Sequence, residues 1–171
     1  MKYYIVFQER SGENFLWAPT KSSYFFFHKN VQEVRKGDVI FINHNAQIVG
    51  YSEAITDPYE NYNENTTWDP NGHRVDIKVT PLDLPFKMKD YKDKVLEYKN
   101  KVEKYFPYNI DGNGNQGYLY EITEEFADFI KAIILEKENK KIESAFSKKA
   151  IVEEIDRIIE NKNLVGKDAE A

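Results

Sequence analysis

The feature that most constrains the fold is an aromatic stretch near the N-terminus. Phe15, Trp17 and Pro19 lie within five residues, and the run Phe25–Phe27 follows closely. Proline fixes its own φ and donates no backbone hydrogen bond, so the chain must leave its strand at this point. A cluster this aromatic beside a turn either plugs the end of a small barrel or forms the wall of a binding pocket. The residues alone favour a core position for Phe25–Phe27, whereas Trp17 fits both roles equally.

The composition favours a β-rich core in a single domain with a helical appendage. The chain has 171 residues, of which 15% are aromatic, and aromatic side chains suit half-buried pleated surfaces. It has no cysteine, which excludes a disulfide framework and a zinc-thiolate site, and no motif predicts another cofactor. The N-terminus enters a strand-like segment directly, so we expect no signal peptide. No apolar run is long enough for a bilayer, and we expect a cytoplasmic protein.

Hydrophobic patterning predicts about five strands. Residues 73–79 alternate cleanly, with Val75, Ile77 and Val79 facing inward, and Pro81 and Pro85 are expected to end this strand. Tight turns are predicted at 36–38 and 43–45, and a long surface loop at 56–72. The strands are predicted at residues 2–7, 39–42, 47–55, 73–79 and 116–122.

Helices are predicted before and after the last strand. Apolar residues recur at helical spacing from 87 to 106. Thr123 is a good N-cap for a helix to about residue 137, and Ser147 is expected to cap a second helix after a polar gap. This order predicts an α+β, mostly antiparallel small barrel. We expect a recognition domain at 1–135 and a helical extension or linker, with a loose C-terminus, at 136–171.

Both tryptophans lie beside or within predicted loops, which is typical of a binding site for an extruded base. Flat apolar side chains sandwich such a base, and a few polar groups read its edge. Trp17 and Trp68 are the candidate walls, and the polar groups nearby in sequence are Asn14, Ser52, Asn115 and Gln116.

A metal-dependent nuclease is the main alternative. Asp69 followed by Asp76 and Lys78 matches a carboxylate, carboxylate-x-lysine pattern, although Asp76 and Lys78 are predicted on the outward face of a strand. The pattern arises easily by chance, so we expect a non-enzyme. The three histidines show no spacing typical of metal ligands: His28, His44 and His73.

Residues 87–104 form a locally basic segment in an acidic chain. Seven lysines and four acidic residues give this segment a net charge of +3, whereas the whole chain carries −5. Such a run is most often a solvated helix face, but it also suits contacts with phosphates that position a nucleic acid without specifying its sequence. The lysines predicted to contact the backbone are Lys87, Lys94, Lys101 and Lys104.

The order of these segments resembles the EVE-like modules of the PUA superfamily, as in the N-terminal recognition modules of McrBC-type and HNH-type modification-dependent restriction systems. The resemblance covers about residues 1–135. At the segment where related modules often carry a tryptophan before the Gly-Asp turn, this chain has Phe27-His28. The matching segments are 3–7, 15–19, 34–41, 48–54 and 115–120.

The resemblance implies a pseudo-barrel that binds methylated or otherwise modified double-stranded DNA by flipping the base into an aromatic pocket. It implies no catalysis and no membrane contact, with a separate or fused nuclease or AAA+ protein as effector. A reader of modified RNA or of a small ligand remains an alternative. The base-binding residues it implies are Trp17 and Ser52, with weaker matches at Tyr51, Trp68, Asn14 and Gln116.

Overall fold

The computed structural model describes the backbone of residues 1–21, 25–102 and 105–163, and most of their side chains. The side chains at 25–27 are outside the described set, so the predicted core role of Phe25–Phe27 lies outside the described residues. The chain divides into two compact units, Met1–Lys131 and Ala132–Ala171. The elements are β1 (Tyr3–Phe7), β2 (Phe15–Pro19), α1 (Phe25–Glu33), β3 (Val39–His44), β4 (Gln47–Ala54), β5 (Tyr59–Tyr62), β6 (Asn71–Phe86), a 3-10 helix (Met88–Tyr91), α2 (Lys92–Lys99), β7 (Leu119–Ile122) and α3 (Glu124–Asn163).

The strands form one seven-stranded mixed sheet in the order β2-β6-β4-β3-β1-β7, with β5 paired to β6. All pairings are antiparallel except that of β1 with β3. β6 is the longest strand: its first half pairs with β2 and β5, and its second half pairs with β4. This shared strand lets the sheet curl into a half-barrel.

Two predictions about this region were wrong. The segment 56–72 is not one loop, because it contains β5 and the first residues of β6. Pro81 and Pro85 do not end their strand, which continues to Phe86. The register with β4 shifts between Ile48 and Gly50, opposite these prolines. Such an irregularity removes ladder positions, and a proline that donates no hydrogen bond is tolerated there.

The inner face of the curled sheet carries the first apolar core. β6 contributes Val75 and Ile77, which confirms that these two residues face inward as predicted. Val31 of α1 and Val34, directly after α1, also belong to this core. The other members come from neighbouring strands and are all buried: Tyr4, Val6, Leu16, Ala18, Ile40, Ile42, Ala54 and Leu119.

A second core on the outer face accounts for much of the aromatic content. Tyr98 and Tyr91 of the α2 region contact Phe129, and Phe126 contacts Tyr98. Phe7 of β1 meets further aromatic rings on the same face. In the described part of 87–106, the predicted long helix is replaced by a 3-10 turn followed by the eight-residue α2. Its aromatic residues Tyr91 and Tyr98 do pack against Phe129.

The turns fall close to their predicted places. Asn45 and Ala46 have φ of 51° and 63°, so the predicted hairpin turn exists one residue later. Gly37 has φ of 94° in the Gly-Asp turn, a value that favours glycine. The buried Asp38 carboxylate accepts the backbone N–H groups of Lys2 and Arg35 at 2.9 and 2.8 Å. The Gly-Asp segment of the resemblance is therefore an architectural element that fixes β1 against β3.

The C-terminal helix is continuous, so the prediction of two helices was wrong. α3 runs from Glu124 to Asn163 through the polar segment. That segment contains neither glycine nor proline, its lysines and glutamates favour helix, and Lys140 pairs with Glu136 one turn away at 2.9 Å. The predicted N-cap is confirmed, since Thr123 Oγ1 accepts the Phe126 N–H at 3.2 Å. No helix in the described ranges combines the length and apolar character needed to cross a bilayer.

Candidate functional site: an aromatic cluster at the open edge of the sheet

The sheet is not closed by a ladder, because its order begins at β2 and ends at β7. Tyr118, just before β7, bridges these edges: its hydroxyl accepts the Trp17 backbone N–H of β2 at 3.1 Å. α1 packs against both strands, and Asn30 donates from its side-chain amide to the Leu119 carbonyl at 2.8 Å. We call this gap between β2 and β7 the seam. It is the natural opening of the half-barrel.

Three aromatic rings meet at the seam from three different elements. His28 of α1 lies 5.4 Å from Trp68, centroid to centroid, at an interplanar angle of 86°. The same imidazole lies 6.3 Å from the Tyr118 ring at 74°. Trp68 belongs to the loop between β5 and β6 and is 43% exposed. One aromatic surface is therefore formed by residues from α1, from the loop between β5 and β6, and from the segment just before β7.

Trp17 joins this cluster through its backbone, whereas its indole lies flat against β6. The side chain is only 9% exposed, and Nε1–H donates to the Asn61 carbonyl of β5 at 3.4 Å. Gly72 makes the approach possible, because a Cβ at that position would lie 2.4 Å from Trp17 Cζ2. Among the described contacts, only the Trp17 backbone joins the cluster. Its indole lies between Asn61 and Gly72, on the face of β2 opposite the inward Leu16 and Ala18. That Trp17 forms a wall of the site stays a prediction.

The electrostatic environment of the cluster favours uncharged forms. Burial lowers the pKa of His28 below its ordinary value of 6.5, so the imidazole is neutral at pH 7. Burial also raises the pKa of the Tyr118 hydroxyl, which stays protonated and can donate a hydrogen bond. A site with apolar walls and neutral polar groups suits a neutral planar ligand better than an ion.

Ser52 and Tyr51 cannot line one pocket, because neighbouring residues of a strand face opposite sides of the sheet. Ser52 is on the inner face, is 2% exposed, and donates its hydroxyl proton to the Ile40 carbonyl at 2.9 Å. Tyr51 lies on the outer face, opposite Phe41, and is 39% exposed. Neither residue has a described contact with the seam cluster.

Asn14 and Gln116 lie at the margins of the site. Both side chains are exposed. The Asn14 carbonyl accepts the Ile77 N–H at 3.0 Å, and the Gln116 carbonyl accepts the Tyr120 hydroxyl at 2.7 Å. Their described hydrogen bonds are structural and run through the backbone.

Three of the predicted backbone-binding lysines, Lys87, Lys94 and Lys101, lie in or beside the 3-10 helix and α2. Lys94 pairs with Glu97 at 3.4 Å. Lys101 pairs with Glu125 at 3.2 Å and lies over the Tyr98 ring. Lys87 is exposed at the start of the 3-10 helix, and Lys104 lies outside the described residues. These lysines and the seam tryptophans therefore lie on different elements.

The carboxylates of the nuclease pattern are engaged separately. Asp76 accepts Arg74 Nε–H at 2.7 Å and the Tyr59 hydroxyl. Asp69 instead accepts the backbone and side-chain N–H groups of Asn71. Lys78 is exposed. Within 1–21, 25–102 and 105–163, no three histidine or acidic side chains gather in a group able to hold a metal ion.

Sequence reasoning missed two members of the cluster, His28 and Tyr118. The spacing of His28 from the other histidines is not typical of a metal site. The only sequence signal for it was its place beside Phe27, at the segment where related modules often carry a tryptophan. Tyr118 lies in a segment of the resemblance, directly after Gly117, but nothing in the local pattern separates it from Tyr120. Only the tertiary structure distinguishes the two tyrosines: the Tyr118 hydroxyl bridges to β2, whereas the Tyr120 hydroxyl donates to the Gln116 carbonyl.

The sequence matches no protein-family model and no curated protein. Solved structures are similar in fold. A protein from Pseudomonas syringae aligns with a TM-score of 0.55 and 15% identity, over 77% of this chain and 99% of that one. A protein from Pseudomonas putida gives 0.53 and 16%, with the same coverage of 77% and 99%. Human THYN1, solved in complex with DNA containing 5-methylcytosine, gives 0.50 and 14%, over 78% and 98%.

These alignments span nearly the whole of each similar protein, and they establish a shared fold. The α+β class and the small pseudo-barrel predicted from the sequence are confirmed. The chain therefore shares its fold with human THYN1 and with the protein from Pseudomonas putida.

Proposed function

We propose that the chain is a non-catalytic reader of modified double-stranded DNA, and that an extruded modified base enters the seam. One observation carries this proposal: the rings of Trp68, His28 and Tyr118, far apart in sequence, form one cluster at the gap between the edge strands β2 and β7. A flipped base needs flat apolar surfaces for stacking and a few polar groups for its edge. This cluster offers both.

The similarity to THYN1 supports the nucleic-acid class of ligand. That protein, with the same fold, was solved in complex with DNA containing 5-methylcytosine. A neutral His28 and a protonated Tyr118 also suit a neutral base. For this chain, the fold and the cluster together favour a modified base over a metal or a charged ligand.

The engagement of the acidic side chains favours a reader over a nuclease. In a metal-dependent nuclease, two carboxylates converge on a cation and a lysine lies near the attacking water. Here Asp76 is bound by Arg74 and Tyr59, while Asp69 closes a local turn with Asn71. Both carboxylates already have structural partners.

In this proposal, lysines of residues 87–104 contact phosphates at the periphery. Lys94 and Lys101 would exchange ion pairs with Glu97 and Glu125 for phosphate contacts. Exposed ion pairs contribute little to stability, about 0–1 kcal/mol each, so the exchange costs little. These contacts would position the DNA without selecting its sequence.

The decisive experiment compares binding of the wild type to duplexes that differ at one base. We expect tighter binding when a central cytosine is 5-methylated or a central adenine is N6-methylated than to the unmodified duplex. Trp68→Ala should remove most of that preference, because stacking on one aromatic side chain contributes about 1–3 kcal/mol per base. Fluorescence anisotropy at fixed salt measures the dissociation constants.

Tyr51→Ala is the matched control, because Tyr51 is an aromatic residue of similar exposure on the other face of the sheet. It should leave the preference unchanged. Trp17→Ala is less informative, since truncating a buried tryptophan costs about 3–5 kcal/mol of stability.

Equal affinity of the wild type for every duplex would reject the reader function, and cleavage that requires Mg²⁺ would favour the nuclease. Tighter binding to modified RNA or a free nucleoside would change the ligand class.

We further propose that the chain is the specificity module of a modification-dependent restriction or defence system, acting with a separate or fused nuclease or AAA+ effector. The sequence resemblance to McrBC-type and HNH-type modules motivates this context. Cells that express the chain with its neighbouring genes should restrict a phage with modified DNA and spare the unmodified phage. Equal plating of both phages would contradict it.

A further inference from the structure

The hydroxyl of Tyr118 has an unusual hydrogen-bonding state. Its oxygen accepts the Trp17 backbone N–H at 3.1 Å. No carbonyl, carboxylate or ring nitrogen among the described residues accepts its proton. A tyrosine hydroxyl can accept and donate at the same time, so this donor is left without a protein acceptor.

The position of this donor is at the margin of the proposed site. The Tyr118 ring packs against the inner core at one side and faces His28 at the other. Polar groups in partly buried positions are usually hydrogen-bonded. An unpaired donor at the margin of a ligand site can be satisfied when the ligand binds.

Two other polar groups near the cluster are already used. Asn30 donates to the Leu119 carbonyl, and the Asn61 carbonyl accepts the Trp17 indole N–H. Of these groups, Tyr118 alone touches both the seam and the aromatic rings while keeping a proton to donate.

We propose that Tyr118 is the residue that reads the edge of the bound base, by donating its hydroxyl proton to an acceptor on the Watson–Crick edge. For 5-methylcytosine these acceptors are the ring nitrogen N3 and the carbonyl oxygen O2. Because this role rests on the proposed function, its test must separate the loss of this hydrogen bond from the loss of base recognition itself.

Tyr118→Phe keeps the ring and removes the hydroxyl. The variant also deprives the Trp17 N–H of its acceptor, so weaker binding alone would not distinguish a structural role from a recognition role. The remedy is to vary the base as well as the protein. The probes are a duplex with one 5-methylcytosine, the same duplex with its 3-deaza analogue, which lacks N3, and the same duplex with its 2-thio analogue, which weakens the acceptor at position 2.

Affinity of wild type and Tyr118→Phe for all three duplexes forms a double-mutant cycle between protein and base. Changes in duplex stability affect both proteins equally and cancel. We expect one analogue to weaken wild-type binding about fivefold to tenfold, the range for one hydrogen bond, and to leave Tyr118→Phe binding unchanged. Such coupling cannot arise from a merely structural hydroxyl.

The proposal is overturned if both analogues weaken the two proteins by the same factor, or if neither analogue weakens the wild type. Either result leaves the reader function intact, provided that the wild type still prefers 5-methylcytosine over cytosine. A wild type without that preference would instead contradict 5-methylcytosine recognition itself.

Discussion

At the scale of single residues, His28 links the site to protein stability. Burial lowers its pKa in the folded state below the ordinary value of 6.5. Below pH 6.5 the unfolded chain therefore binds a proton that the folded chain resists. The free energy of unfolding should decrease as the pH falls from 7 through 6.5, and the decrease should be complete below the lowered pKa.

The matched variant is His28→Gln, which keeps a polar side chain but does not titrate. Glu13 acts in the opposite direction, because burial raises its pKa and the folded state retains its proton. The difference between wild type and variant isolates His28. Urea denaturation at pH 7.5, 6.5 and 5.5 measures it, and parallel pH profiles for the two proteins would show that His28 is not buried as a neutral group.

At the scale of elements, the start of α3 depends on one side chain. Thr123 Oγ1 accepts the Phe126 N–H, and the Thr123 carbonyl accepts the Ala127 N–H at 3.0 Å. Thr123→Ala should lower the free energy of unfolding by about 1 kcal/mol, because a backbone N–H at the helix start loses its acceptor. The Thr123 side chain is exposed, so little apolar burial is lost.

Thr123→Ser is the control for this helix cap. Serine keeps the hydroxyl and should retain most of the stability in the same denaturation experiment. Equal losses in the alanine and serine variants would mean that the threonine methyl group, and not the cap, stabilises the helix start.

At the scale of the whole molecule, the described end of α3 adds little burial. The side chains of residues 152, 153 and 155–160 are all exposed. That 136–171 is an appendage of a recognition domain stays a prediction. If it is correct, a chain ending at residue 151 should keep its melting temperature within about 2 °C, because changes at exposed positions are usually small.

Thermal denaturation and the duplex-binding assay should be run on both chain lengths. Retained melting temperature with retained affinity would support an appendage. A loss of affinity at unchanged melting temperature would instead place part of the DNA contact in the distal helix.

The sequence was informative where a local rule has one structural answer. Alternation placed Val75 and Ile77 inward, Gly37 and Asn45 marked turns that need positive φ, and Thr123 capped a helix. The sequence led to wrong predictions where the surrounding residues changed the local structure. Pro81 and Pro85 are tolerated because the register with β4 shifts beside them, and the polar segment in α3 stays helical because no residue in it breaks a helix.

By itself, the sequence determined a small aromatic-rich α+β barrel with two prominent tryptophans, because periodicity and turn residues act over a few positions. Only the tertiary structure decided which residues meet. It separated Ser52 from Tyr51 by the alternation of β4, gathered part of the aromatic content into a second core, and brought Tyr118 and His28 to the seam. The contacts of Tyr118 with Trp17 and His28 join residues 101 and 90 positions apart, and they depend on where the sheet fails to close, which no local pattern encodes.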